Sequence, residues 1–187
     1  MKKLNQFTLV LSRVMEILCW IAVVIAAEVV IFSLVAKGWL EEQILHSMTI
    51  PDIDIGGLSL ALVDGRPSAA SVTFSALAGV ALGSLSAMIF RNIYLILRTA
   101  QGKTWFSKGD TPFQKDITRM IREIGIFLIS TSAVNLIWSI GMRFLLGVDS
   151  VELSVELDSA LVGMMVLCLS QFFDYGVQLQ NDVDGLL

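Results

Sequence analysis

Histidine occurs once in the 187 residues, at His46, and cysteine twice, at Cys19 and Cys168. That set cannot supply the four nitrogen or sulfur ligands of a structural zinc site. Both cysteines lie in apolar runs, where a thiol is expected to act as a small hydrophobe rather than as a redox group. Charge is also scarce. Only 16% of residues are Asp, Glu, Lys or Arg, against roughly 25% in soluble domains. The net charge of −4 gives no overall basic character, so no direct nucleic-acid binding is expected. Phosphate-loop, zinc-protease and nucleophile-elbow patterns are all missing. Gly102-Lys103-Thr104 lacks the glycine loop that would precede it. The lone histidine lies outside the long apolar segments, so no base has a paired nucleophile. No catalytic residue, cofactor site or metal site is expected, and the chain does not read as an enzyme.

What the sequence has is apolar length. Hydrophobic residues make up 55% and mean hydropathy is +0.75. A helix that crosses the hydrocarbon needs about 20 apolar residues. Four segments come close, at about 14–36, 72–97, 124–146 and 159–180. The first is too long for the apolar part of a cleaved signal peptide and reads as a retained anchor. The expectation is an all-α membrane protein, one four-helix bundle over 1–187. Its outer loops would be 37–71 and 147–158, and its cytoplasmic loop 98–123.

The cations sort unevenly. Lys2, Lys3 and Arg13 precede or open the first span. Arg91, Arg98, Lys103, Lys108, Lys115, Arg119 and Arg122 cluster around the middle connection. Positive residues stay on the cytoplasmic side, so both termini and the middle loop are expected there, in a multi-pass protein of the bacterial cell membrane. Thr111 reads as a helix N-cap, Pro112 as the first helical position and Gln114 as the completion of a capping box. Lys115, Arg119 and Arg122 then share one face, suited to anionic lipid or to a docked protein. Trp105 and Phe106, between Lys103 and Lys108, are the other contact points on this surface.

The outer loops alternate polar and apolar residues at 47–55, partly at 58–63, and again at 151–157. Gly56-Gly57 and Asp64-Gly65 break the pattern. Period two with turn residues between predicts short strands. A small antiparallel β-sheet built from both loops is expected to cap the bundle. Within the spans, Ser75, Gly79, Gly83 and Ala87 form a small-residue stripe that lets helices approach closely. Intramembrane polar residues are Glu28, Arg91, Asn135, Arg143 and Asp174. By depth, Arg91 is expected to meet Asp174, with Glu16 competing, and Glu28 to meet Arg143. A lone acid in the first of four spans also suits proton-coupled export of cations, so a small transporter or ion pathway using Glu28 is the alternative reading.

Gly109-Asp-Thr-Pro-Phe before a basic helix and the closing Gly176-Val-Gln-Leu-Gln-Asn-Asp-Val-Asp carry a resemblance. With four spans in about 190 residues, they resemble a bacterial membrane family catalogued as a domain of unknown function. Its members are often encoded beside a small Cro/C1-type helix-turn-helix regulator. The ending Asp184-Gly185-Leu186-Leu187 departs from the family's Leu-Thr-apolar tail. The resemblance implies a non-enzymatic membrane partner or regulator that engages a cytoplasmic protein such as that regulator. Trp105, Phe106, Lys115, Arg119 and Arg122 would form the partner-binding surface, with the acidic tail 181–187 beside it. Oligomeric state is left open.

Overall fold

The computed structural model describes residues 2–36, 54–55, 58–59, 62–63, 66–67, 69–107, 111, 113–145 and 157–184. Four long helices dominate: α1 (Lys2–Val35), α2 (Ala69–Thr99), α3 (Lys115–Ile140) and α4 (Leu157–Asp184). Each contains a stretch long and apolar enough to cross a membrane. The chain is therefore a multi-pass membrane protein, with the inventory of a four-helix bundle. At about 1.5 Å per residue the 34-residue α1 measures about 51 Å, well beyond a hydrocarbon core of about 30 Å. The helix starts a dozen residues before the apolar run, so its first turns lie outside the lipid interior.

Burial confirms which solvent the helices face. Among the described residues, nine apolar side chains are buried, and twelve polar or charged ones, eight of them serine or threonine. Large apolar side chains such as Val10, Ile25, Leu34, Met165 and Phe172 are instead exposed. A water-soluble core would show the reverse. In hydrocarbon, small polar residues pack between helices and bulky apolar ones face outward.

Between α1 and α2 the chain forms two ladders of two residues each. β1 (Asp54–Ile55) pairs antiparallel with β2 (Leu58–Ser59), and β3 (Leu62–Val63) with β4 (Arg66–Pro67). In sequence, Gly56-Gly57 lies between β1 and β2, and Asp64-Gly65 between β3 and β4. The expected sheet shared by both outer loops is not supported. Among the described residues the ladders belong to two separate two-stranded sheets. Residues 147–156, its other half, lie outside the described residues.

The chain divides into two compact units. The first comprises Met1–Cys19, Leu85–Ser130 and Leu157–Leu187; the second comprises Trp20–Ser84 and Thr131–Glu156. In the second unit α1 meets α2 through small groups. A Cβ placed on Gly79 would sit 3.9 Å from the Cβ of Ala26. The Thr73 hydroxyl donates to Ser33 Oγ at 2.8 Å. The small-residue stripe of α2 thus meets a helix of the same chain at Gly79. Trp138 of α3 donates its indole N–H to Ser75 Oγ at 3.3 Å. Just beyond α3, a π-helical turn at Gly141–Leu145 brings Gly141 against the ring of Phe74 so closely that no Cβ would fit.

The tightest crossing in the first unit joins α3 to α4. A Cβ on Gly163 would lie 2.8 Å from the Gly125 carbonyl oxygen, and one on Gly125 2.9 Å from the Gly163 carbonyl oxygen. Only glycine permits that approach. Ile117, Met120 and Ile121 form the buried apolar cluster of this unit, with Leu95, Ile96, Phe106, Val166 and Phe173 packed on it.

Candidate functional site

The charged surface expected to engage a partner belongs to the first unit, and its geometry starts at the end of α2. Gly102 has φ 65°, a left-handed conformation that glycine adopts without strain. Lys103 N donates to Arg98 O at 3.0 Å and Gly102 N to Thr99 O at 3.0 Å. These two bonds make a Schellman motif. The chain then folds back on the helix end, where Ser107 Oγ donates to Thr99 O at 3.1 Å and Thr104 Oγ1 to Thr99 Oγ1 at 3.2 Å. Thr99 is fully buried as a result. The Gly-Lys-Thr run that resembled a fragment of a phosphate loop is a helix stop. A glycine just past the last helical residue was the signal available for it.

This turn sets the two aromatic residues. Phe106 packs on the Ile117–Met120–Ile121 cluster. Trp105 stands edge-on against it, with centroids 5.3 Å apart and rings at 88°, and is 95% exposed. Of the two expected contact points, Trp105 is the more exposed and Phe106 is half-buried. Its apolar ring stabilises the unit more by burial than by waiting in solvent, and it serves as the base on which Trp105 is held out.

The basic face of α3 is present, although its start differs from the expectation. The helix begins at Lys115. Phe113 N donates to Thr111 Oγ1 at 3.2 Å, and Gln114 Nε2 donates to Thr111 O at 2.7 Å. A capping box would instead have the Gln114 side chain accept from the Thr111 backbone N–H. Thr111 Oγ1 also donates to Gln180 Oε1 of α4 at 3.1 Å. Phe113 lies 5.9 Å from Phe173 and fills the space a Cβ of Gly176 would need. A recess of about 250 Å³ opens between the start of α3 and the end of α4, lined in part by Gln114, Asp116, Gln180 and Asn181. Lys115, Arg119 and Arg122 are exposed. Arg119 Nε reaches Glu123 Oε1 at 2.8 Å, and Glu123 Oε2 accepts from the buried Asn92 of α2 at 3.1 Å. Pro112, Lys108 and residues 185–187 lie outside the described residues.

The intramembrane pairs are not those expected. Among the described residues two ion pairs form, Arg13–Glu16 at 2.7 Å and Arg119–Glu123 at 2.8 Å. Arg91 and Asp174 are both exposed and do not pair; the carboxylate takes a long 3.4 Å contact from Gln178 Nε2. Glu28 is exposed and Arg143 half-buried, and they do not pair either. Equal depth fixes position along two helices, but each residue also turns the side chain about 100° around its axis. Glu16, buried at 6% exposure, takes its cation from its own helix one turn earlier. Asn135 is buried on α3, and its carbonyl accepts from Ser139 Oγ at 3.0 Å.

A second cationic group forms where α1 passes α2. The guanidinium carbon of Arg13 lies 5.4 Å from the centroid of the Tyr94 ring, and that of Arg98 lies 5.7 Å from the same centroid. Arg98 also donates to the Tyr94 hydroxyl at 3.1 Å. The sequence signalled each cation but not their meeting on one ring. Cations held in this way are suited to binding anions. No family model, curated protein or solved structure matches the chain.

Proposed function

We propose that this protein is a non-enzymatic membrane partner or regulator that engages a cytoplasmic protein. The observation that carries this reading is Trp105, 95% exposed and set edge-on against the half-buried Phe106. A large rigid ring costs little conformational entropy when it docks and is a favoured interface anchor. The exposed cations Lys115, Arg119 and Arg122 add long-range attraction to an acidic partner. The distribution of Lys and Arg supports a cytoplasmic position for this surface and for both chain ends. A small helix-turn-helix regulator is the partner class implied by the resemblance to the bacterial four-span family.

The test is co-purification of the full-length protein in lipid nanodiscs with such a regulator. Trp105→Ala is expected to weaken capture by at least about tenfold, the loss typical of an interface hot spot, with the thermal transition unchanged. Undiminished capture by the alanine variant would remove this surface from consideration. A Ser107→Cys label accessible from outside intact cells would overturn the orientation.

The alternative reading, a transporter, draws on Glu28, exposed on α1 and outside both ion pairs. An acid in hydrocarbon costs about 2.5–3.5 kcal/mol on insertion scales and invites a functional explanation. Proton release on addition of a lipophilic cation to proteoliposomes, abolished by Glu28→Gln, would support it. Absence of release across a panel of cations would end it.

A further inference from the structure

Between α1 and α2 lies a groove of about 420 Å³. Its walls divide by chemistry. Leu9, Val10 and Val14 line it from α1, and Arg13, Arg98 and Lys103 bring three cations to it. Both guanidinium groups lie within 5.7 Å of the Tyr94 ring centroid.

The local sequence explains the layout. Leu9, Val10, Arg13 and Val14 follow the i, i+1, i+4, i+5 spacing of one helical face. Tyr94 and Arg98 are one turn apart on α2. The Schellman turn at Gly102 carries Lys103 back beside Arg98, whose Nη2 donates to the Lys103 carbonyl at 3.4 Å. The charge balance at this groove is uneven. Among the described residues, the only carboxylate partnering these cations is Glu16, which already holds Arg13 at 2.7 Å, and Lys103 Nζ donates to the neutral Gln101 Oε1 at 2.9 Å. Three cations facing one carboxylate make a site that favours a further anion.

Position selects the anion. Arg13 directly precedes the apolar run of α1, and Arg98 and Lys103 bracket the end of α2, so the cations lie where a span meets the headgroup layer. Val10, 64% exposed, presents an alkyl wall beside them. An inorganic anion needs no such wall. A phosphodiester with acyl chains uses both halves, and basic pockets between transmembrane helices are known to suit anionic headgroups. From these observations we propose that the groove between α1 and α2 binds one anionic glycerophospholipid. Its phosphate sits among Arg13, Arg98 and Lys103, its glycerol rests against Leu9 and Val10, and one acyl chain leaves past Val14 toward the hydrocarbon. This rests on the helices spanning a membrane and is independent of any protein partner.

The experiment uses the full-length protein in mild detergent, titrated with phosphatidylglycerol or phosphatidylcholine and read by native mass spectrometry. The wild-type protein is expected to retain phosphatidylglycerol in preference to phosphatidylcholine at one site. Lys103→Gln alters an exposed side chain and is expected to weaken that binding about fivefold, the equivalent of about 1 kcal/mol per charge. Arg98→Gln with Lys103→Gln is expected to weaken it about 25-fold on the same scale. Val10→Trp keeps every cation but fills the apolar wall, and is expected to lose the lipid as well. Lys115→Gln with Arg122→Gln is expected to change nothing at this site. Equal retention of the two lipids, or an equal loss in the Lys115/Arg122 variant, would overturn the proposal. So would displacement by inorganic phosphate at concentrations matching the lipid, or unchanged binding by Val10→Trp, since either makes the cations a phosphate site alone.

Discussion

Inside the unit of Met1–Cys19, Leu85–Ser130 and Leu157–Leu187, helices are joined by charge: Asn92 to Glu123, and Arg13 and Arg98 to one tyrosine ring. Inside the unit of Trp20–Ser84 and Thr131–Glu156, the corresponding links are a threonine to a serine and an indole to a serine. Both ion pairs belong to the first unit. The difference follows from the cost of burying each group. A hydroxyl can return its hydrogen bond to its own helix, as Ser84 does to the Val80 carbonyl. An ionised group in hydrocarbon has no such recourse. Hydroxyl links therefore suit helix contacts anywhere in a span, whereas charged links suit the ends, where side chains reach the headgroups.

The two units also differ in how glycine is used, and that contrast gives the largest expected effect. Gly163 faces backbone atoms of α3, which cannot rotate away. Gly163→Leu is expected to separate α3 from α4 and to cost at least about 3 kcal/mol, the upper range for overpacking. Reversible unfolding in mixed micelles measures it. A loss under 1 kcal/mol would show that the crossing is looser than drawn and that the first unit is held by its polar links instead.

The polar links are tested next. Glu123→Ala leaves the buried Asn92 amide without its carboxylate and is expected to cost about 1–2 kcal/mol. Arg119→Ala removes the exposed half of the same network and is expected to cost less than about 0.5 kcal/mol, since solvent-exposed ion pairs contribute little. If the two losses were equal, the carboxylate would serve the arginine rather than the helix contact, and the contrast between the units would weaken.

Much of this arrangement was legible in the sequence, for definite reasons. The four spans were readable because apolar length alone selects a bilayer helix. A basic helix after Thr111 was readable from the spacing of its cations, but its start at Lys115 was not, because Gln114 bonds the Thr111 carbonyl instead of closing a capping box. Azimuth was not readable. Glu16 found Arg13 because i, i+3 neighbours share a face, while Arg91 and Asp174 matched only in depth. The Gly125–Gly163 crossing escaped notice because each helix contributes one glycine at the contact, with no repeat to mark it. The stripe of α2 was conspicuous and meets α1 at an ordinary van der Waals distance. Trp105 and Phe106 are adjacent and alike in composition, so only the turn at Gly102 decides which one packs against the Ile117 cluster.

That turn provides a smaller test. Gly102→Ala places a side chain at φ 65°, where a Cβ costs roughly 1–2 kcal/mol. The expected loss is about 1 kcal/mol in stability. Intrinsic fluorescence of Trp105 should change as well, because its setting on Phe106 depends on this turn. A stability loss without any spectral change would mean that the aromatic pair is placed by the Ile117 cluster alone.

The smallest effect is expected in the second unit, at Gly79. An added Cβ there would meet the Ala26 Cβ at 3.9 Å, an ordinary contact that needs no displacement. Gly79→Ala also removes backbone freedom from the unfolded chain and favours the helix by up to about 1 kcal/mol. The substitution should be neutral or slightly stabilising, although the position lies in a stripe of small residues that resembles a close-packing motif. A loss above 1 kcal/mol would mean that α1 and α2 approach each other more closely at Gly79 than 3.9 Å allows. Small residues would then govern the second unit as strictly as Gly125 and Gly163 govern the first, and the distinction between hydroxyl-linked and glycine-locked contacts would no longer separate the two.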